Sequence, residues 1–454
     1  MASTHSISLP KLTVDPNRFS YFRFGELADG VILTTEAGAW HHLSKDTFRA
    51  LLSGDLSEDA DDFQLLSRKG ILRAGHDPSH TADAMRRQKK HVGLGPTLHR
   101  IHLSDASGTL SVELATAILD LAMLSTASHL ELRLIEGPQP ADEDLIRFIL
   151  QYATEKNRYE GKALQWSLAT TLAHLPAGLD ELLVAKNVRV LTWLDGPEAL
   201  HDAQRSTSGA APHAEVVARL AALRAAGDAK GRDASFLQAE VTLTSASVEH
   251  AASILPALTH AGITHLRLAP VTAGAHAVSA SDFEVIADAV LDAVFAEDAP
   301  FREPLIDHLI ARAVRGEAEE PLEARSPGGR GTGQLTYAAD GRIFPSEAAR
   351  VHPSADEMFL LGTAGDAAYR DVVTHPTVRT LAIASTLECL PGATDHWATP
   401  YVGIDPTQSF AERGDLFTVV PTCAPLAMQR SLAAAVFERI IRANPATLAD
   451  LRGR

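Results

Sequence analysis

Two cysteines, Cys389 and Cys423, are all the thiol that this 454-residue chain has. A disulfide framework is therefore excluded, and in a reducing compartment the two read as free, buried thiols. A metal cluster that takes three thiolates from one chain needs more sulfur than is present. No stretch approaches the run of about 20 apolar residues that spans a bilayer. The opening MASTHSISLPKLTVDP has neither a charged leader nor an apolar core, so a cytoplasmic location is expected. Basic charge is in deficit. A net charge of −16 repels phosphate backbones and anionic lipid, so neither nucleic acid nor a membrane is an expected partner. The longest basic run, Arg86-Arg87-Gln88-Lys89-Lys90, suits a solvated linker face. HExxH, paired CxxC and Walker-type phosphate loops are missing, and no metal site is expected.

What is present supports packed cores: 45% of the residues are apolar, over a length that allows two or three domains. Residues 17–74 combine the strand-like runs SYFRF, GVILTT and AWHHLS with helical patterns at Lys45–Leu52 and Asp61–Lys69, the makings of a small winged-helix-like unit. Gly75–Lys90 is polar and reads as a linker. From about residue 97 to 296, six strand-like runs (LHRIHL, HLELRLIE, LQWSLA, VRVLTWL, LQAEVTLT, THLRLAP) alternate with helical patterns. That repetition implies parallel strands with right-handed crossovers, hence an α/β barrel or doubly wound sheet whose ligands sit at the strand C-termini. After residue 300 the alternation stops. A helix at Pro304–Arg315, a Gly-rich SPGGRGTG expected to be a mobile loop, a hairpin in QLTYAADGRIFP and a helix at Leu426–Ala443 form an appended region.

Several segments, in order along the chain, resemble the radical SAM peptide maturases with a SPASM-type extension, most closely the His-Xaa-Ser system maturase group. They are YFRFGELADGVILTTEAGAWHHLS, GPTLH, DLIRFILQYATEKNRYEGKALQWSLATTLAHL, LDGPEALHDAQR, GQLTYAADGRIFPSEAAR and LPGATDHWATPYVGIDP. The resemblance implies an N-terminal winged-helix-like peptide-recognition unit with linker (1–90), a partial (β/α)6 radical-SAM-like barrel (91–300) and a SPASM-like C-terminal extension (301–454). It also marks departures. Where the family places a CxxxCxxC cluster loop after the first barrel strand, this chain has Ser104 and Asp105 running directly towards a helix. The GGEP-like cradle for the methionine amino group aligns with Glu136-Gly137-Pro138-Gln139, and Trp193 stands where a small hydroxyl residue is usual. Ala393, His396 and Val402 occupy the auxiliary-cluster positions.

From these departures neither an iron–sulfur cluster nor S-adenosylmethionine is expected, and no catalytic set is assigned. Glu136, Thr171, Asp195 and Arg267 fall at strand ends as candidate ligand-binding residues of the barrel mouth. Arg267 suits a carboxylate or peptide backbone with Asp195 orienting it; a salt bridge that closes the barrel end is the other reading of the same residues. His99 and His102 alternate to opposite faces of one strand and make no joint metal site. The expected function is that of a catalytically inactive homologue that binds a precursor peptide, an active radical SAM maturase or both, as a hetero-oligomer. An acidic surface suits a basic peptide. The alternatives are an enzyme of another class that reuses the barrel mouth and a protein that binds the nucleotide without cleaving it. A filled barrel with an exposed apolar surface would mark the scaffold, and a deep polar pocket with shifted titratable groups would mark the enzyme.

Overall fold

A computed structural model describes residues 14–74, 76–140, 142–173, 175–176, 178–205, 211–296, 300–316, 321–417, 423–444, 447–449 and 451. The N-terminal stretch discussed above lies largely outside them. The chain opens with an antiparallel sheet of β1 (Arg23–Leu27), β2 (Gly30–Thr34) and β3 (Trp40–Ser44), with β2 central. Helices α1 (Lys45–Ser53) and α2 (Asp61–Arg68) lay Phe48, Leu51, Phe63 and Leu66 on Leu33 and Leu43 to make a small separate core. Ser44 accepts from the Thr47 amide and starts α1 at the residue where the strand ends. The polar segment expected to be a linker is a helix, α3 (Pro78–Gln88). Pro78 at its first position and the Asp77 side chain on the Ser79 amide nucleate it, although none of its residues is buried.

The centre is a nine-stranded sheet. Its parallel strands are β4 (Leu98–His102), β7 (His129–Ile135), β8 (Ala163–Ala169), β9 (Val188–Trp193), β10 (Leu237–Leu243) and β11 (His265–Pro270), neighbours in chain order. Between β4 and β7 lie a two-stranded hairpin, β5 (Ser104–Asp105) and β6 (Gly108–Thr109), and α4 (Val112–Met123). The later crossovers use α5 (Glu143–Glu160), α6 (Leu179–Ala185), α7 (Glu198–Arg205) with α8 (His213–Asp228), and α9 (Ala251–His260). Every second residue of β7, Leu130, Leu132 and Leu134, is buried in a core shared with Ile118, Ile146 and Ile149 of the helices. The intervening residues form a second face that is polar.

Beyond β11 come α10 (Ala280–Val294) and α11 (Pro304–Arg315). The sheet then gains β12 (Gln334–Tyr337), parallel to β4, followed by antiparallel β13 (Arg342–Phe344) and β14 (Gly362–Thr363) after short helices α12 (Glu347–Arg350) and α13 (Ala355–Met358). The central sheet thus takes strands from both sides of residue 300. Helices α14 (Tyr369–Val373), α15 (Pro376–Ala384), α16 (Pro406–Arg413) and α17 (Ala424–Arg442) complete the chain.

The expected mobile loop at 326–333 is packed. A Cβ at Gly331 would come within 2.6 Å of Val378, and the Gly328 amide donates to Ser385 Oγ at 2.8 Å, so small residues here serve close approach. The N-terminal unit is joined to the last third of the chain. Arg23 Nε donates to the Thr394 carbonyl, Thr34 Oγ1 to Trp397 O at 2.7 Å and Tyr401 Oη to Gly38 O at 2.9 Å. Trp40 and Tyr401 pack around Phe437 of α17. Among the described residues no helix is long and apolar enough to cross a membrane.

Candidate functional site

The C-terminal ends of β4 and β7 border a cavity of about 530 Å³ lined by His102, the β5–β6 hairpin, Glu136–Pro138, Arg342 and Arg350. Ser104, Asp105, Glu136, Gly137 and Pro138 therefore meet at one place. Glu136 is buried; its Oε2 accepts from Thr170 Oγ1 (2.6 Å), Thr171 N (2.9 Å) and Thr171 Oγ1 (3.2 Å), while Oε1 has no partner. Thr171 serves Glu136 and holds it in place. Asp105 accepts from the Ser107 and Ala339 amides and from Arg350 at 3.3 Å. Arg350 continues to Glu347 at 2.7 Å, which takes His102 Nε2 at 2.8 Å. Burial works against ionisation of Glu347, but His102 and Arg350 outweigh it and hold its pKa at about 2. The cavity wall is a closed chain of paired charges, with one carboxylate oxygen left over.

Trp193 lies elsewhere, on the polar face at β9, donating to Glu240 Oε1 at 3.3 Å. Asp195 is fully buried and does not meet Arg267. Both its oxygens take the fork of Arg205 on α7, at 2.7 and 2.8 Å, and Oδ1 also takes the Thr242 amide. Ala393 and Val402 are buried in the apolar core. His396 accepts from the Ala398 amide and lies 5.9 Å from the Trp397 ring; burial, with Arg430 nearby, lowers its pKa to about 4. Cys389 is exposed and Cys423 buried. Among the described residues no group of three or more His, Cys, Asp or Glu side chains is placed to hold a metal ion.

A second site gathers residues that the sequence reading missed, with Arg267 alone among them named from the sequence. The polar face carries Arg100 on β4, Glu131 and Arg133 on β7, Arg189 on β9, Glu240 on β10 and Arg267 on β11. Glu131 accepts from Arg133 (2.6 Å) and Arg189 (2.8 Å), which overcome its burial and hold its pKa at about 2. Arg267 reaches Glu240 and Glu323 at 3.5 Å each, and Glu323 above all raises its pKa. Although these groups lie deep in the fold, the side chains of Arg267, Glu240 and Glu323 keep 41%, 37% and 26% of their surface bare. The face therefore looks onto a hollow. The signal was legible: charges at alternate positions in LHRIHL, HLELRLIE and THLRLAP are out of place in parallel strands packed on both faces.

Glu303, buried where β11 meets α11, accepts the Ile306 amide at 2.8 Å and has its pKa raised by burial to about 7. A carboxylate raised in the folded state contributes stability that is complete below its unfolded pKa and is lost as pH climbs through the folded value. Glu303→Gln is accordingly expected to gain stability over the parent at pH 8 relative to pH 5, by roughly 1–3 kcal/mol. Urea midpoints at the two pH values measure the difference; an equal gain at both would refute the assignment.

The chain has a mixed α/β fold on a large parallel sheet, similar to that of radical SAM peptide maturases. Two solved structures make the likeness concrete. One, anSMEcpe with bound AdoMet, superimposes with a TM-score of 0.63 at 12% identity, over 79% of this chain and 98% of that one. The other, Streptococcus suis SuiB bound to precursor peptide SuiA, gives 0.51 at 13% identity, over 93% and 99%. At such identity the likeness is one of fold. No family model and no curated protein matches the sequence.

These structures correct the expectation that the chain takes no cofactor. AdoMet is bound in anSMEcpe, and SuiB was also solved bound to S-adenosylmethionine (TM-score 0.50, 12% identity). For S-adenosylmethionine the expectation rested on motif spelling; for the cluster it rested on the count of two cysteines as well. The acidic residue missing at Pro138 has a counterpart two positions earlier, because Glu136 lines the same cavity with an oxygen to spare. Its residues fit S-adenosylmethionine in part: Glu136 Oε1 suits an ammonium and Arg350 or Arg342 a carboxylate. The backbone approach at Gly137 is taken by the protein itself, since a Cβ there would lie 1.8 Å from Ser104 O.

Proposed function

We propose that this chain is a peptide-binding member of a ribosomal peptide maturation system, close to the His-Xaa-Ser group, that holds S-adenosylmethionine without cleaving it. In this reading the parallel sheet is a partial barrel, the N-terminal unit is winged-helix-like and the last third is a SPASM-like extension. The unpartnered Glu136 oxygen at the cavity carries the ligand assignment. Two structural neighbours were solved with peptides, anSMEcpe with Cp18Cys and SuiB with SuiA, which supports a peptide partner. Inactivity rests on the thiol count: reductive cleavage of a sulfonium needs a low-potential centre, and two cysteines fall short of three thiolates. Bound S-adenosylmethionine supplies a cationic sulfonium and a nucleoside; the chain's part is to orient it through Glu136, held by Thr170 and Thr171.

Among the described residues β1 and β3 each pair with β2 alone, which leaves the N-terminal sheet two edges. Phe24 on β1 and Tyr21 just before it are about half exposed. An extended leader peptide adds to such an edge through main-chain hydrogen bonds, and a maturase that acts on the same peptide completes a hetero-oligomer. The hollow polar face with its shifted groups favours a second reading, an enzyme of another class working in the barrel; turnover of a bound peptide in the absence of any maturase would select it.

Calorimetric titration with S-adenosylmethionine is the test. Saturable binding is expected, weakened about tenfold or more in Glu136→Gln. The reading fails if no binding occurs, or if the reduced protein alone releases 5′-deoxyadenosine.

A further inference from the structure

Arg100 stands out on the polar face. It lies at the middle of β4, pointing with Arg133 and Arg267 into the hollow, and its neighbours are matched: Arg133 and Arg189 share Glu131, Arg267 has Glu240 and Glu323, and Arg330 has Asp405 at 2.7 Å. Among the described residues Arg100 forms no ion pair and no hydrogen bond, and its Nε is sealed from solvent without an acceptor. The carboxylate that bears on it, Glu347, is engaged by His102 and Arg350. Arg100 is half-buried and its sealed Nε lacks an acceptor among neighbouring cations, a lack that an anion arriving from outside would meet. Its surroundings say the same: burial, then Arg133, Arg267 and Arg330, lower its pKa to about 9, a field that a negative group would relieve.

We infer that the hollow receives a carboxylate, the acidic side chain of a bound peptide, with Arg100 as its partner. The inference rests on the peptide-binding reading above and adds a specificity to it. Guanidinium and carboxylate match as a two-pronged pair, and in an enclosed site that pair discriminates against the isosteric amide, which carries no charge. The acidic exterior, at net −16, disfavours strongly acidic peptides, so the expected peptide is neutral or basic overall with one glutamate or aspartate at the buried position.

The test uses the full chain and two pools of random peptides with amidated C-termini, identical except for a fixed central glutamate in one and glutamine in the other. N-acetylglutamate α-amide and N-acetylglutamine α-amide serve as small probes. The glutamate pool and the glutamyl probe are expected to bind at least about tenfold more tightly than their amide counterparts. Arg100→Gln is expected to erase that preference while melting at the parent temperature or above, since it removes an unmatched charge; Arg100→Lys keeps a cation and recovers part of the preference. Equal binding of the two pools by the parent overturns the inference and leaves the peptide reading standing. If the glutamyl probe binds through Arg100 but neither pool does, the carboxylate site stands and the peptide reading falls. If Arg100→Gln instead abolishes binding of S-adenosylmethionine and leaves the peptide preference intact, the carboxylate belongs to that molecule and the inference is overturned.

Discussion

Asp195→Ala is expected to lower the stability of the protein by about 3 to 5 kcal/mol, the range for removing one partner of a buried ion pair. Asp195 has no exposed surface, and its two oxygens take Nε and Nη2 of Arg205 at 2.7 and 2.8 Å. Oδ1 accepts from Thr242 N at 2.9 Å as well, and Arg205 Nη2 donates to Thr242 Oγ1 at 2.6 Å. One carboxylate thus ties the end of β9 to α7 and to β10. Removing it takes the carboxylate from the Arg205 guanidinium and one acceptor from a backbone amide at once. Asp195→Asn keeps an acceptor for Thr242 and should lose less. The thermal midpoint of each variant, with circular dichroism to confirm the fold, is the measurement; an alanine variant that melts with the parent would show that this cluster is not a clamp.

Gly137→Ala carries the second large effect, because it acts on ligand and fold together. The added methyl would sit 1.8 Å from the Ser104 carbonyl oxygen and 2.4 Å from Ser104 Oγ. A backbone atom cannot step aside as a flexible side chain can, so the β5–β6 hairpin must shift. Overpacking of this kind costs typically 1 to 3 kcal/mol and occasionally more. The hairpin also positions Asp105, which holds Arg350 on the cavity wall, so affinity for S-adenosylmethionine should collapse in the variant. Calorimetry and thermal melting test both halves. Unchanged affinity would place the ligand elsewhere, and an unchanged midpoint would contradict the packing at Ser104.

Much of the fold could be read from the chain because its local signals agree. Helix α11 runs over the Pro304–Arg315 range that the proline start and apolar spacing predict. The six parallel strands fall on the six apolar runs. What escaped has physical reasons. Helix α7 spans only eight residues and buries Leu200 and His201, too short an apolar signal to stand out in the sequence although its two sides are well segregated. Helix α3 buries nothing, and its polar surface reads as linker. The pairing of β12 with β4 joins residues more than 230 positions apart, and no local pattern encodes it. At the site, Ser104, Asp105, Glu136, Gly137 and Pro138 share one cavity with His102, Arg342 and Arg350, which the sequence did not place there, while Trp193 lies elsewhere and Asp195 meets Arg205 instead of Arg267, since strand-end position alone does not say which neighbour a side chain turns to. The hollow was missed for another reason: the alternating charges were read as strand periodicity and not as the lining of a space.

The seam between the N-terminal unit and the last third of the chain bears on how the molecule is made. Arg23 is almost wholly enclosed, and the carbonyl it donates to belongs to Thr394. At the ribosome, Arg23 emerges roughly 20 to 75 s before its acceptor at ordinary translation speeds. Throughout that interval Trp40 waits for Phe437, so the nascent chain exposes an aromatic surface that only the finished polypeptide can cover.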